Sequence, residues 1–347
     1  MKIKKLTMYL TLFALSMLLM QCVKEGPMGP AGPAGPAGAD GTDGTDGVDG
    51  NVTCLVCHSS EAKADIDYQY AQSGHAIGEV TMAEGEWSSS CARCHTQEGF
   101  INYANGETAV AIGAPVRFEC TMCHNIHDTF TATDYAFRLA DPIAFIFDAT
   151  EVADLGNSNV CGNCHQSRRA EPNITNPGTT FNITSVHYGP HHGAQANILY
   201  GAGMAEIAGT FSYEAVGSSP HMNANARCTG CHMYEYAEGE GGHTFSPSIA
   251  SCNSCHTTAD FDYHGVQTET EELLLELRDS LVNRGVLEYV VADDAYEPIV
   301  GVHDMAYVQA FFNWIGIEED RSLGVHNPVY VKALLENSIA VCGPAVK

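Results

Sequence analysis

The pentapeptide C-x-x-C-H occurs six times in this chain: CLVCH from Cys54 to His58, CARCH from Cys91 to His95, CTMCH from Cys120 to His124, CGNCH from Cys161 to His165, CTGCH from Cys228 to His232 and CNSCH from Cys252 to His256. With 14 Cys and 16 His in 347 residues, independent placement would give about 0.03 such pentapeptides. The spacing is that of covalent c-type haem attachment, in which two thiols add to the vinyl groups and the adjacent imidazole becomes the proximal iron ligand. A zinc site also uses C-x-x-C, but it needs a second half and has no reason to place His after each second Cys. A disulfide framework leaves the histidines equally unexplained. Twelve cysteines (Cys54, Cys57, Cys91, Cys94, Cys120, Cys123, Cys161, Cys164, Cys228, Cys231, Cys252 and Cys255) are therefore predicted to hold six haem c groups. His58, His95, His124, His165, His232 and His256 are the predicted proximal ligands, and only Cys22 and Cys342 are left over.

This cofactor load constrains the fold. Residues 51–347 would carry roughly one haem per 50 residues, so porphyrin can supply much of the apolar interior in place of a large side-chain core. The expected fold is mostly irregular, with short α-helices packed around six haems, little β structure and a helical C-terminal part at residues 266–347. Successive first cysteines are 37, 29, 41, 67 and 24 residues apart, too uneven for a tandem repeat and close enough that haems must pack on one another. In the C-terminal part, Thr268 with Glu271 reads as a capping box before a helix ended by Gly285. Leu274, Leu277 and Leu281 share one face of that helix. A second helix is predicted from about Met305 to Trp314, and a third with Asn327 as cap and Pro328 in its first turn. These apolar faces are expected to cover a haem.

The N-terminus has a different character. MKIKK followed by an apolar run from Leu6 to Met20 has a signal-peptide layout and is short for a membrane span. Cys22 falls where the run stops, which looks like a lipoprotein signal (residues 1–22) with a lipid attached to Cys22, although Gln21 is not the small residue usual there. Residues 23–50 form a Gly-x-y tract with Gly at 26, 29, 32, 35, 38, 41, 44, 47 and 50. Only Gly fits the axis of three polyproline-II strands, so the pattern is collagen-like. It reads as a tether of up to about 75 Å at the polyproline-II rise, with a homotrimer through a short triple helix as the alternative. The net charge of −26 argues against nucleic acid and anionic headgroups as partners. It suits a surface that meets cationic redox partners or metal ions, and equally plain solubility.

Ten histidines remain outside the motifs: His75, His127, His187, His191, His192, His221, His243, His264, His303 and His326. Any one alone is more often a surface or core residue than a ligand, but six haems need up to six distal ligands. Short words around these histidines resemble those of the multihaem c-type cytochromes related to pentahaem nitrite reductase, hydroxylamine oxidoreductase and the surface and filament cytochromes of metal-reducing bacteria. The resemblance covers most of residues 51–347. SGHA at His75 is similar to the family's distal S-x-H-A word, and CHNIHD to its C-x-x-C-H-x-x-H unit, which implies His127 as the distal ligand of a neighbouring haem. On a helix, the three-residue offset from His124 would set both imidazoles on one face. GPHHGAQA implies His191, an assignment that could slide to His187 or His192. SSPHM before the fifth motif implies His221, GGHTF before the sixth implies His243, and GVHNPVY resembles the C-terminal distal segment and implies His326. His264 and His303 have no family word and read as structural. Met122 and Met233 are weaker ligand candidates.

An enzyme acting on a small nitrogen or sulfur species needs an open iron position, and related nitrite reductases mark theirs with Lys in place of the motif His. All six motifs here end in His. The expected function is therefore electron transfer through bis-His low-spin haems, with no catalytic residue. The site of action is an exported cell-surface or outer-membrane lipoprotein, alternatively a periplasmic or secreted protein. Its partners would be other redox proteins or extracellular electron acceptors. An oxidoreductase with one open haem and the protomer of a self-assembling cytochrome filament are the alternatives.

Overall fold

Three long helices near the C-terminus are the most regular part of the chain: α11 (Val266–Asn283), α12 (Met305–Asp320) and α13 (Pro328–Cys342). The computed structural model describes residues 60–77, 87–126, 136–223, 225–234 and 241–343. The expected signal segment and tether (residues 1–50), Cys22, the first motif with Cys54, Cys57 and His58, and the distal candidate His127 lie outside the described residues.

The caps explain where the long helices begin. Asn327 accepts a hydrogen bond from the Tyr330 amide at 3.2 Å and Pro328 opens α13, as the sequence predicts. Asp304 caps α12 through the Ala306 amide at 3.1 Å, and the helix runs on to Asp320, well past the expected Trp314. The capping box at Thr268 does not form. Helix α11 starts two residues earlier, and Asp262 receives the amides of Gln267 (2.8 Å) and Thr268 (3.1 Å) and the Thr268 hydroxyl (2.6 Å). The carboxylate is the stronger acceptor, so Thr268 donates instead of capping. Gly285, at φ 68°, follows the C-cap as expected.

The apolar faces of these helices close on one another instead of covering a haem. Leu274, Leu277 and Leu281 meet Val308, Phe311, Ile317, Val331, Leu334 and Leu335 in one buried cluster. This half therefore builds a side-chain core of its own, because three amphipathic helices can satisfy each other's apolar stripes. Residues 201–219 run across it with no helix or strand of their own. Their backbone is pinned by side chains that imitate a peptide unit. Asn313 accepts from the Ala205 amide (2.9 Å) and donates to its carbonyl (2.8 Å), and Asn337 does the same for Phe211 (3.1 and 2.8 Å).

Towards the N-terminus, the described elements are short: α1 (Ser60–Ala71), α2 (Gly74–Ile77), α3 (Ser89–His95), α4 (Gln97–Ala104), α5 (Cys120–Cys123), α6 (Asn159–Gly162), α7 (Pro172–Thr175), α8 (Gln195–Tyr200), α9 (Cys228–His232) and α10 (Ile249–Asn253). Beside four single-turn 3-10 helices, the described residues form three two-stranded antiparallel sheets: β1 (Ile143–Ala144) with β2 (Val152–Ala153), β3 (Thr180–Ile183) with β6 (Gly301–Asp304), and β4 (Leu287–Val290) with β5 (Ala295–Pro298). Strand β6 leads straight into the Asp304 cap of α12.

The Asn313 bonds are buried, whereas those of Asn337 are partly exposed. Asn313→Ala is expected to strand two buried backbone groups, at about 1–3 kcal/mol each, and to lower the thermal midpoint more than Asn337→Ala does. Melting curves of the two haem-loaded variants followed by far-ultraviolet circular dichroism check the order.

Candidate haem sites

Each described motif sits on or beside a single helical turn: α3, α5, α6, α9 or α10. In α3 and α9, which hold a whole motif, cysteines three apart and a histidine four from the first fall on one side, so both thiols and the imidazole face the same way; α5, α6 and α10 end before the motif histidine. What they face is one continuous cavity of about 2280 Å³, lined mainly by apolar surface. That is well above the roughly 300–1,000 Å³ of a single-ligand pocket. The cysteines and histidine of all five described motifs line it, as do His75, His191, His221, His243 and His326. Among the described residues, no cluster of three or more His, Cys, Asp or Glu is set to hold a bare metal ion.

Across this cavity, motif histidines face the other histidines in pairs. Ring centroids are 6.0 Å apart for His95 and His191, 6.0 Å for His165 and His75, 6.2 Å for His256 and His221, 6.3 Å for His232 and His326, and 6.4 Å for His124 and His243. Each pair joins one motif histidine to one that the family words single out, and no residue is used twice. A metal-bound imidazole nitrogen stands about 2 Å from the ion and its ring centre about 1 Å further, so two imidazoles on opposite sides of one ion have centres about 6 Å apart. Interplanar angles range from 38° to 86°, as rings free to turn about a shared axis allow. The residues thus fit the bis-imidazole ligation of haem c.

Protonation agrees with that fit. Burial, the leading cause in each case, holds His75 and His191 down to about 4 and lowers His165, His221 and His232 below the ordinary histidine range. All five are neutral at pH 7 and can offer a lone pair to iron. The second ring nitrogen is held in several of them. His232 Nδ1 donates to the Phe245 carbonyl (2.8 Å), His221 Nδ1 to the Val325 carbonyl (2.5 Å), and His165 Nδ1 lies 3.3 Å from Gln195 Oε1. Such contacts leave Nε2 for the metal. His326 differs: burial opposes its charge, but the adjacent Asp320 carboxylate outweighs burial and raises its pKa.

The distal residues are delivered by chain features the sequence only partly displays. His191 has φ 76°, a left-handed conformation uncommon for a residue with a side chain. Gly242, at φ 53°, lies so close to Gln69 that a Cβ would sit 2.2 Å from its Oε1. That approach lets Gln69 take the His243 amide at 2.9 Å. Phe245, itself at φ 56°, serves three pairs: its carbonyl holds His232, and its ring lies 4.9 Å from His75 and 6.0 Å from His243. Trp87 stacks face to face on His95 at 4.6 Å. The contacts of Gln69 with His243 and of Phe245 with His75 join residues far apart in the chain and have no local sequence signature.

Of the remaining described histidines, His192 and His264 also line the cavity. His192, its side chain 78% exposed, pairs with Glu319 at 2.8 Å. His187 is exposed at the surface. His303 Nε2 donates to the Ile299 carbonyl at 2.6 Å. His264 borders the cavity, its ring 4.1 Å from Tyr263. Met122 packs in an apolar cluster with Phe100, Phe118 and Val160. The helical reasoning for the His124 and His127 pair does not hold, because α5 ends at Cys123 and His124 is already extended at φ −113°, ψ 141°.

Neighbouring motifs also touch. Cys94 and Cys164 are hydrogen-bond neighbours, as are Cys161 and Cys228. Cys123 packs in the same cluster as Cys161 and Cys164, and Cys231 lies within electrostatic range of Cys252 and Cys255.

No family model matches the chain. Among curated proteins it is 24% identical, over an alignment of 405 positions covering 82% of this chain and 54% of the relative, to the C-type polyheme cytochrome OmcB of Geobacter sulfurreducens. It is 27% identical over 194 positions, 47% of this chain and 25% of the relative, to OmcC of the same organism. The chain thus spans about half the length of OmcB. Among solved structures it resembles the outer cell wall cytochrome OcwA in fold, with a TM-score of 0.50 and 19% identity over 79% of this chain and 50% of that one.

The placement of the three neighbouring histidines gives a direct contrast. His191→Ala is expected to convert one low-spin haem to a high-spin or water-ligated one, while His192→Ala and His187→Ala leave the electron paramagnetic resonance (EPR) spectrum unchanged.

Proposed function

Because its motifs, relatives and fold make the chain a multihaem c-type cytochrome, we propose that it binds six haem c groups, each iron ligated by two histidines, and serves to pass electrons. The observation that carries this reading is the pairing of every described motif histidine with a second imidazole at one-ion spacing. Iron held from both sides has no position for a small substrate, so such haems exchange electrons only. The proposed pairs are His95 with His191, His165 with His75, His124 with His243, His232 with His326 and His256 with His221. Of the residues that the family words imply, His127 remains to join His58 at the haem on Cys54 and Cys57.

The order of the haems follows from which cysteines touch. A thioether fixes one edge of each haem, so the closeness of Cys94 to Cys164 and of Cys161 to Cys228 supports a run His95, His165, His232, and the electrostatic proximity of Cys231 to Cys252 and Cys255 supports its continuation to His256. The shared cluster of Cys123, Cys161 and Cys164 supports a branch to the His124 haem at the His165 haem. No described helix is long and apolar enough to cross a membrane. The leader ending at Cys22 and the Gly-x-y tract support an exported, lipid-anchored protein held off the cell surface, which hands electrons to other redox proteins or extracellular acceptors.

Intact mass of the purified protein is expected to give six haems, and the oxidised protein to ignore cyanide. A high-spin signal with ready cyanide binding would shift the reading to an oxidoreductase with an open haem.

His127→Ala is expected to retain all six haems and to make one iron five-coordinate or water-ligated, at raised potential. An unaltered low-spin spectrum would remove His127 from the ligand set.

A further inference from the structure

Helix α12 ends in Glu318, Glu319 and Asp320, three acids where the helix dipole favours cations. Asp320 is also buried, its side chain fully covered, and a buried carboxylate is costly unless its oxygens are satisfied. Both are. Oδ1 accepts from His326 Nδ1 at 2.6 Å, and Oδ2 accepts from the Ser322 hydroxyl. The turn that makes this possible is set by Arg321, which closes α12 in the left-handed conformation at φ 60°. Gln195 holds the Asp320 carbonyl at 3.4 Å while its Oε1 lies beside His165. Asp320 therefore violates the local preference of its helix and is secured on every side, the combination expected of a residue kept for function.

Its chemistry sets His326 apart. His165, His221 and His232 present Nδ1 to an amide or a backbone carbonyl, whereas His326 faces a full negative charge. A carboxylate drawing on the Nδ1 proton gives the imidazole more anionic character at Nε2, which strengthens it as a ligand and favours the more highly charged metal state. Hydrogen bonding to an axial ligand is one of the levers by which a protein tunes haem potential.

We infer that Asp320 is a positioning residue that orients His326, increases its donor strength and so lowers the potential of the haem held by His232 and His326. The inference rests on the axial pairing proposed above. In the run proposed above, that haem lies between the His165 and His256 haems, so Asp320 acts on an interior carrier and not on an end. Ser322, by donating to the same carboxylate, moderates the effect.

The test is a potentiometric titration of the haem-loaded full chain, followed optically and by EPR, on Asp320→Asn, Ser322→Ala and His326→Ala. Asp320→Asn is expected to keep every haem low-spin and to move one haem to higher potential, with a changed g spread for that haem alone. Ser322→Ala is expected to move the same haem the opposite way, since the carboxylate loses a donor. A purely structural role predicts no such opposite shifts. If His326→Ala makes one haem high-spin while neither other variant moves a potential, the Asp320 inference is overturned and the ligand reading stands. If His326→Ala leaves all haems low-spin, the ligand reading fails and takes this inference with it. Should Asp320→Asn itself turn a haem high-spin, Ser322→Ala decides: a downward shift supports the inference and no shift overturns it.

Discussion

Two imidazoles that share one metal ion must face each other across a gap of about 6 Å, and the cysteine-rich part of this chain is arranged to produce such gaps. The facing residues are distant in sequence: His75 with His165, His95 with His191, His124 with His243 and His232 with His326. Each shared iron would therefore act as a cross-link between remote segments, reinforced by two thioethers on the motif side. Metal binding of this kind is coupled to folding, because the ligand set does not exist in the unfolded chain. That coupling explains how helices of one or two turns, too short to be stable alone, can carry the motifs. The C-terminal helices differ in that their core of Leu, Phe and Ile side chains closes without the cofactor.

The two halves meet in a few residues that serve both. The loop from Ser322 to Asn327 follows the end of α12 and begins α13, so the helical core fixes it. From it, the Val325 carbonyl aims His221 and the Ser322 hydroxyl meets Asp320, while His326 enters the cavity directly. Phe245 plays a similar part among the His75, His232 and His243 positions. Geometry at one iron is thus tied to geometry at its neighbours, as closely spaced electron carriers require.

How much of this could be read from the sequence depends on range. The attachment motifs are local, and so are the caps at Asn327 and the stop at Gly285, where the responsible residues lie within one turn of each other. The words around His75, His191, His221, His243 and His326 select residues that the structure brings to the cavity, although nothing local says which faces which. His191 could not be separated from His192 by spacing alone; the separation comes from Glu319, 127 residues beyond His192, which draws that ring to the surface. The start of α11 departs from the capping-box expectation because Asp262 outcompetes Thr268, and His124 lies off the helix because α5 stops one residue short of it. Asp320 carries no signal at all, since an acid at the end of a helix in sequence looks like a solvated charge.

The central claim, that pairs of histidines hold single irons between them, is tested most directly by diffraction from the haem-loaded protein at the iron absorption edge. The account predicts anomalous peaks midway between the rings of each of the five described pairs, with a sixth beside the Cys54 and Cys57 motif. A peak flanked by its motif histidine alone, with the facing imidazole turned away, would contradict it.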